Sequence, residues 1–211
     1  MARSTKEEAQ ATRHRLLDAA ERVFHRQGVS QTSLQQIATE AGTTRGAIYW
    51  HFRDKADLFN AMMERVTLPL EQSLQQAPDA RGGPLAALRA ALLAALSQMR
   101  DDAQLRRVVE IAMHRVEYVD DMNAVRMRHL HVRQRCVVDI GRALRLAARQ
   151  RGCRLRMPAA RAAAGLHALI DGLISNWLLD PQAFDLPALG DQMLAVYLVG
   201  LGLGSDGARG D

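Results

Sequence analysis

The sequence has few of the residues that mark secreted and membrane proteins. It contains two cysteines, Cys136 and Cys153, in 211 residues, too few for the disulfide framework of a secreted scaffold. It begins with charged and polar residues, so we expect no signal peptide. Its most apolar run, residues 194–203, is about half the length of a membrane-spanning helix. These absences predict a soluble cytoplasmic protein without a membrane partner.

Motifs of catalysis are also missing from the sequence. It has no CxxC, no Gly-rich phosphate loop and no nucleophile elbow. Glu110, His114 and Glu117 have helical spacing that can bind a metal or support acid–base chemistry, but no third strong ligand is assured. We therefore predict no enzyme, no cofactor and no metal, with a helical metal-binding or enzymatic module using Glu110 and His114 as the alternative. Cys136 is expected to be an inert buried thiol rather than an oxidant sensor.

Positive charge is concentrated at the start of the chain. The formal net charge is +5. Residues 1–55 hold nine Lys or Arg and six Asp or Glu, a balance of +3, which leaves 19 against 17, or +2, for the rest. Only two of the basic residues are lysines, Lys6 and Lys55. A basic first quarter is what a DNA-binding segment requires.

The stretch from Thr32 to Lys55, TSLQQIATEAGTTRGAIYWHFRDK, predicts two short helices joined by a tight turn. Thr32 or Ser33 can cap the first helix in a capping box. Gly42 suits the left-handed residue that ends a helix, and Thr43 or Thr44 can cap the second. The apolar face of the first helix repeats at i, i+3, i+4 and i+7, at Leu34, Ile37, Ala38 and Ala41. Such a pair is a helix-turn-helix unit, whose second helix enters the major groove of DNA.

Side chains at the start of the second helix suit contact with DNA. Arg45 can make the bidentate contact to guanine that is the commonest specific pairing. Gly46 costs about 0.5–1 kcal/mol relative to alanine inside a helix, which is explained if the backbone approaches DNA. A helical corner of some other all-α protein is the alternative. The predicted DNA-binding residues are Thr32, Ser33, Thr43, Thr44, Arg45, Gly46, Tyr49, Trp50, His51 and Lys55.

Residues 12–59 resemble the DNA-binding domain of the TetR family of one-component regulators. The family's GxTRGAIYWHFxDKxxLF is matched here by GTTRGAIYWHFRDKADLF. The opening RSTKEEAQATR and the later NWLLDPQAFDL are similar to the AcrR and TtgR branch, repressors of multidrug efflux pumps. The resemblance implies a homodimer, a palindromic operator, a ligand pocket and an efflux-pump operon as the target. It is thin between residues 65 and 165, so it implies no individual pocket residue.

From Pro84 onward the pattern is helical, with helices expected near 84–101, 103–116, 118–151, 158–179 and 185–202. The last two are apolar on more than one side, which indicates a dimer interface formed by Leu166, Ile170, Leu173, Trp177, Met193, Val196 and Tyr197. We predict an all-α fold. A three-helix DNA-binding domain (1–53) precedes a helical ligand-binding and dimerisation domain (54–204) and a disordered tail (205–211).

The central helices are predicted to hold an apolar ligand cavity. Nine methionines suit surfaces that repack around varied ligands, although ordinary core packing explains them as well. The predicted ligand-binding residues are Met63, Val66, Leu92, Leu96, Met99, Glu110, Ile111 and His114. The predicted function is therefore a repressor released from double-stranded operator DNA by a small apolar or aromatic inducer. A DNA-binding regulator without a small-molecule ligand is the alternative.

Overall fold

The computed structural model describes the backbone of residues 2–116 and 122–204, and the side chains from residue 6 onward within those ranges. Every regular element in these residues is helical, which confirms the predicted all-α class. The helices are α1 (Ala2–Gln27), α2 (Leu34–Glu40), α3 (Arg45–His51), α4 (Lys55–Gln76), α5 (Pro84–Asp101), α6 (Ala103–His114), α7 (Asn123–Gln150), α8 (Ala159–Leu179) and α9 (Leu186–Gly200), with a 3₁₀ turn at Ala77–Asp79.

Local sequence signals account for several helix ends. α5 begins with Pro84, whose fixed φ and missing N–H suit the first position of a helix. After α7 the chain turns at Gly152, which has a φ of +62°, a conformation that favours glycine. α9 follows Asp185, whose carboxylate accepts a hydrogen bond from the Ala188 N–H at 2.8 Å. The predicted disordered tail, 205–211, lies outside the described residues.

The chain packs into two compact units. The first contains Met1–Thr67 and Gln104–Leu130, and the second contains Leu68–Ala103 and His131–Asp211. The predicted domain boundary after residue 53 comes directly after the helix-turn-helix unit. The first unit extends further, because it also includes the beginning of α4, α6 and the beginning of α7. The boundary between DNA-binding and ligand-binding functions therefore stays a prediction.

The first unit is built on the apolar stripe of α1. The rings of Phe24 on α1 and Phe59 on α4 lie 5.9 Å apart in a tilted arrangement. Helices α1, α2, α3, α4 and α6 and the Phe52 position bury their apolar side chains together, namely Leu16, Leu17, Val23, Phe24, Ile37, Ile48, Phe52, Leu58, Phe59, Met62, Val108 and Ile111. Because these residues recur every three or four positions, each helix buries one face.

The second unit is organised around α9, which packs on α5 and on α8. Gly190 of α9 lies against Leu96 of α5, and a Cβ at this glycine would overlap the Leu96 methyl carbon Cδ1. Tyr197 of α9 lies over Gly165 of α8, and its hydroxyl donates a hydrogen bond to the Ala162 carbonyl at 2.8 Å. Two positions without a side chain thus let three helices approach closely.

Helix α8 is long and apolar enough, by length and composition, to cross a membrane, with a mean hydropathy of 1.2. The shorter apolar run 194–203 alone predicts no segment of membrane-spanning length, and α8 contradicts that prediction. Core helices of soluble proteins have the same composition, but only 28% of the apolar stretch of α8 is buried within this chain. An extended apolar surface of this kind usually marks an interaction site.

Gly190→Ala is expected to destabilise the chain by about 1–3 kcal/mol, because its methyl group overpacks against Leu96. Urea unfolding measures the change in the free energy of unfolding. Leu96→Ala should cost less in the Gly190→Ala background than alone, since the new methyl group fills part of the vacated space. Gly82→Ala is the matched control, because nothing lies within 4 Å of a Cβ there. Equal losses at the two glycines would contradict this packing.

Candidate nucleic-acid interface

Ser33 and Thr32 support the beginning of α2 in different ways. The Ser33 Oγ accepts a hydrogen bond from the Gln36 N–H at 3.2 Å, and the Gln36 Oε1 accepts one from the Ser33 N–H at 2.8 Å. These bonds form the predicted capping box. Thr32 is buried, and its hydroxyl donates to the Gly28 carbonyl at 2.7 Å. That bond accounts for Thr32 without any contact to DNA, so Thr32 is not among the residues that we propose to contact DNA.

The turn between α2 and α3 is a Schellman motif at Gly42. This residue has a φ of +65°, which residues with side chains rarely adopt. The Thr43 N–H donates to the Ala38 carbonyl at 2.9 Å, and the Gly42 N–H donates to the Thr39 carbonyl at 3.1 Å. The two bonds satisfy carbonyls that the end of α2 would otherwise leave unbonded. They also fix the direction in which the chain enters α3.

Helix α3 is attached to the core of the first unit through one face. Its first turn is capped by Thr44, whose Oγ1 accepts a hydrogen bond from the Ala47 N–H at 3.2 Å. Ile48 is the buried residue of α3, and Phe52, which follows the helix, is buried as well. Since α3 has only seven residues, these two anchors leave most of its side chains facing outward.

The outward face of α3 begins with Arg45 and Gly46, both exposed. A Cβ at Gly46 would lie 3.8 Å from the Thr44 Oγ1, an ordinary contact. The fold would therefore accept alanine, which is favoured over glycine in a helix by about 0.5–1 kcal/mol. The missing side chain leaves room for a molecule outside the chain to approach the backbone.

Aromatic and basic groups continue the same face. Trp50 is 73% exposed, and its ring meets the His51 ring edge-on, with centroids 4.8 Å apart. The Arg45 guanidinium lies 5.6 Å from the centroid of the Tyr49 ring, within the range of a cation–π contact. Burial, and then the positive charge of Arg13, lower the pKa of His51, which favours the neutral imidazole. The face thus combines one exposed cation with hydrogen-bonding aromatic groups.

Lys55 has a structural contact that the sequence pattern does not predict. Its ammonium Nζ donates to the Ser30 carbonyl at 3.2 Å. This bond joins the first residue of α4 to the loop that follows α1. It also holds the ammonium group beside the helix-turn-helix unit, which is compatible with the predicted contact of Lys55 with DNA.

The predicted ligand-binding residues divide between the two units. Ile111 is buried in the core of the first unit, and Met63 and Val66 pack against that core. Leu96 is packed against Gly190 in the second unit. The first unit holds Met63, Val66, Glu110, Ile111 and His114, and the second holds Leu92, Leu96 and Met99.

The glutamate and histidine of α6 do not form a metal cluster. The Glu110 Oε2 lies 3.5 Å from the Nε2 of His25 on α1, so this carboxylate pairs with a different helix from the one expected. His114 is exposed, and Glu117 lies outside the described residues. Among the side chains of residues 6–116 and 122–204, no group of three His, Cys, Asp or Glu is arranged to hold a metal ion.

A cavity of about 400 Å³ opens in the second unit, beside the end of α4 and the middle of α7. Its lining residues are Gln75, His131, Gln134, Arg135, Val138 and Asp139. Five of these six side chains are polar, whereas pockets for apolar ligands are lined mainly by apolar side chains. The cavity shares no residue with the predicted ligand-binding set.

The predicted dimer residues fall into two groups. Those buried within the second unit are Leu166, Ile170 and Trp177. Those partly or largely exposed are Leu173, Met193, Val196 and Tyr197. Further exposed apolar residues on the same two helices, not predicted, are Leu179 and Val199. An apolar sequence pattern alone does not separate side chains that pack within one protomer from those that need a partner surface.

Comparison with known proteins identifies the family. Residues 16–62 match the tetR family of bacterial regulatory proteins. Residues 83–202, more than half of the 211, match the C-terminal region of MAATS-type transcriptional repressors. This chain belongs to the TetR family. The first matched segment contains α2, α3 and the beginning of α4, so the predicted helix-turn-helix unit is confirmed as the DNA-binding part of a transcriptional repressor. The family is one of regulators rather than enzymes.

Similar proteins match nearly the whole TetR-family chain. The transcriptional regulator TtgR of Pseudomonas putida is 41% identical over 197 residues, 90% of each chain. The structure of NalD, the secondary repressor of the MexAB-OprM multidrug efflux pump in Pseudomonas aeruginosa, is 36% identical with a TM-score of 0.83, covering 95% of this chain and 100% of NalD. A SmeT–triclosan complex is 34% identical with a TM-score of 0.81, covering 95% of this chain and 98% of SmeT.

Cys136 lies on α7 of this TetR-family protein in an acidic and poorly solvated environment. Burial, and then the negative charges of Glu71, Asp139 and Asp171, raise the pKa of its thiol to about 11. Because the thiolate is the reactive form of cysteine, this environment favours the inert-thiol interpretation over an oxidant sensor.

We expect Cys136 to be alkylated slowly by iodoacetamide at neutral pH. In a Cys153→Ser variant, the rate should keep rising until about pH 11, because the raised pKa delays formation of the thiolate. An ordinary cysteine, with a pKa of about 8.5, serves as the reference in a short peptide. Mass spectrometry of the alkylated protein measures the rate at each pH. An alkylation rate that levels off at the same pH as the rate of the peptide would contradict the raised pKa of Cys136.

Arg45→Ala is expected to weaken operator binding by about 1–3 kcal/mol and to relax the preference at one base pair per half-site. Competition between operator and random duplexes measures both effects. Arg53→Ala is the matched control, because Arg53 is an exposed arginine just beyond α3, held only loosely, at 3.5 Å, by Asp57. This control should weaken binding to both duplexes alike, if at all. The same equal loss for Arg45→Ala would mean that Arg45 contacts phosphate only.

Proposed function

We propose that this TetR-family protein represses a multidrug efflux pump operon, acts as a homodimer on a palindromic operator, and is released by small apolar or aromatic compounds. The similar proteins support the target and the type of ligand. NalD and SmeT are named as repressors of multidrug efflux pumps, and SmeT forms a complex with triclosan. Since its target is operator DNA, the proposed site of action is the bacterial cytoplasm.

The observation that carries the DNA-binding part is a glycine that the fold does not require, at the exposed start of α3. A recognition helix presents its N-terminal residues to base edges in the major groove. We assign the base contact to Arg45, and the close approach of backbone to DNA to Gly46. We assign contacts with phosphate or sugar to Ser33, Thr43, Thr44, Tyr49, Trp50, His51 and Lys55.

The homodimer is supported by the apolar surface that α8 and α9 leave uncovered. Val196 of α9 is 66% exposed, and 28% of the apolar stretch of α8 is buried. A second copy of the chain is the proposed cover for this surface, in place of a membrane. The proposed interface residues are Leu173, Leu179, Met193, Val196, Tyr197 and Val199. Two-fold symmetry would then present two copies of α3 to the two halves of a palindrome.

The proposed induction is a shift between two populations of the repressor. A ligand changes operator affinity only to the extent that it binds the DNA-bound and free repressor differently. That difference amounts to about 1–3 kcal/mol in typical allosteric proteins. An apolar compound such as triclosan would therefore bind more tightly to the form that does not fit the operator.

Selection from a pool of random duplexes tests this function. We expect the selected DNA to contain an inverted repeat, because each protomer presents the same recognition helix. Triclosan should raise the melting temperature of the free protein and release it from the selected DNA. Selected DNA with one unrepeated half-site would contradict the homodimer. A protein that neither binds nor responds to a panel of apolar aromatic compounds would instead be a regulator without a small-molecule ligand.

Val196→Glu is expected to convert the dimer into a folded monomer, because a charge would be buried without a partner in the interface. Sedimentation velocity measures the mass, and circular dichroism checks the helix content. Val138→Glu is the matched control, since Val138 is 57% exposed on α7, outside the proposed interface. This control should remain a dimer. If the Val196→Glu variant sediments as a dimer, the interface lies on another face of the protomer.

A further inference from the structure

Glu21 of α1 is a buried carboxylate that is not part of the DNA-contact surface, by which we mean the residues to which a DNA contact is assigned above. Within residues 6–116 and 122–204 it is the only buried charged residue, at 4% exposure. Its Oε1 accepts a hydrogen bond from the Arg107 Nε at 2.7 Å. Its Oε2 accepts one from the Gln104 Nε2 at 3.0 Å and lies 3.5 Å from the Arg65 Nη2. One carboxylate therefore binds α4 and α6 to α1, and we refer to these four residues as the Glu21 clamp.

The partners of Glu21 lie at two of the three points where the chain passes between its two units, the third being within α7 after Leu130. The chain leaves the first unit after Thr67, within α4, and returns to it at Gln104, at the start of α6. Arg65 is two residues before the first passage, Gln104 is at the second, and Arg107 follows within one turn of helix. The Glu21 clamp thus holds both of these connecting segments on α1, the helix around which the first unit packs.

The connecting segments can carry displacements from the second unit to the clamp. Only Asp102 separates the last residue of α5 from the first residue of α6, so a shift of α5 along its axis pulls directly on Gln104. In α4, Pro69 has no N–H to donate to the Arg65 carbonyl. The helix therefore lacks one hydrogen bond just beyond the clamp, which lowers the cost of bending there.

Further contacts extend the attachment of α6 along α1 to the loop that precedes α2. The His25 Nε2 lies 3.5 Å from the Glu110 Oε2. The Val29 N–H donates to the Arg115 carbonyl at 3.1 Å. The position of α6 is thereby fixed relative to both the scaffold helix and the entrance to the helix-turn-helix unit.

We propose that Glu21 is a positioning residue that transmits the state of the second unit to the DNA-binding helices, acting through Arg65, Gln104 and Arg107. This inference rests on the proposed ligand response and names the contact through which that response reaches DNA. When the clamp is lost, the burial of Ile48 and the Gly42 turn still hold α3 in place. It therefore separates ligand occupancy from operator affinity without removing the DNA-contact surface.

Glu21→Gln is a suitable test because its partners tolerate the loss of charge. Arg65 keeps an ion pair with Asp18 at 2.7 Å. The Arg107 side chain is about half exposed, so water can solvate it. Glu40→Gln is the matched control. The Glu40 carboxylate, like that of Glu21, is held by two arginines, here Arg22 and Arg26 of α1. The Arg22 Nε and the Arg26 Nη2 each lie 2.8 Å from it. Neither arginine lies near a passage between the units.

Hydrogen exchange with and without selected operator DNA tests the transmission without any ligand. Because coupling is reciprocal, operator DNA should slow amide exchange in the second unit, at residues 70–76 and 84–101, in the wild type and in Glu40→Gln. In Glu21→Gln the slowing should be confined to the first unit, with the circular dichroism spectrum unchanged. Slowing in the second unit of Glu21→Gln that equals the wild type would overturn the proposal. Its absence from the wild type would overturn it as well.

A second arm uses triclosan as the probe and separates this proposal from the proposed function. Triclosan should raise the operator Kd of the wild type and Glu40→Gln by about 5- to 150-fold. In Glu21→Gln the increase should fall below about 3-fold, although triclosan still raises the melting temperature. A full increase in Glu21→Gln would overturn the role of Glu21. If triclosan does not stabilise even the wild type, the proposed inducer class is wrong, and the hydrogen exchange still decides the role of Glu21.

Discussion

A recognition helix of seven residues cannot maintain its conformation alone, and the arrangement of the first unit follows from this constraint. Isolated helices shorter than about 12–15 residues are marginal in water. Burial of Ile48 and Phe52, the Thr44 cap and the Gly42 turn supply the missing stability. Because these interactions occupy one face of α3, the opposite face, to which we assign the DNA contact, is left exposed. The same packing makes the position of α3 depend on the helices beneath it.

That dependence allows a repressor to be regulated at a distance from its DNA-contact surface. The buried carboxylate of Glu21 joins α1 to the segments of α4 and α6 that lead into the second unit. Removal of one partner from a buried charged group is costly, so the clamp favours a definite placement of these helices. A ligand that prefers another placement opposes operator binding through the same contact. The apolar surface of α8 and α9 is where we propose that the second protomer binds.

Features with local causes could be predicted from the sequence. The Ser33–Gln36 capping box, the left-handed Gly42 and the bounds of α5 depend on residues within a few positions of each other. The identity of the DNA-binding unit followed from the same short stretch. The exposed side chains of α3 can be predicted as well, once Ile48 is recognised as its inward-facing residue.

Features that depend on distant residues could not be predicted in this way. Glu21 is 86 positions from Arg107, and nothing in the pattern around it differs from an exposed glutamate on a solvated helix. Ile170 and Val196 both belong to apolar helices, yet only Ile170 is buried within the chain. In each case the decisive neighbour comes from another helix or from a different turn of the chain.

The central claim, that ligand and operator oppose each other on one repressor, is tested most directly by a closed thermodynamic cycle. Calorimetry would measure the Kd of triclosan for the free repressor and for the repressor–operator complex, and the Kd of the operator with and without saturating triclosan. Linkage requires the two ratios to be equal, and the account predicts a common value of about 5–150. Equal triclosan affinity for the free and the operator-bound repressor would contradict the account, however tightly triclosan binds.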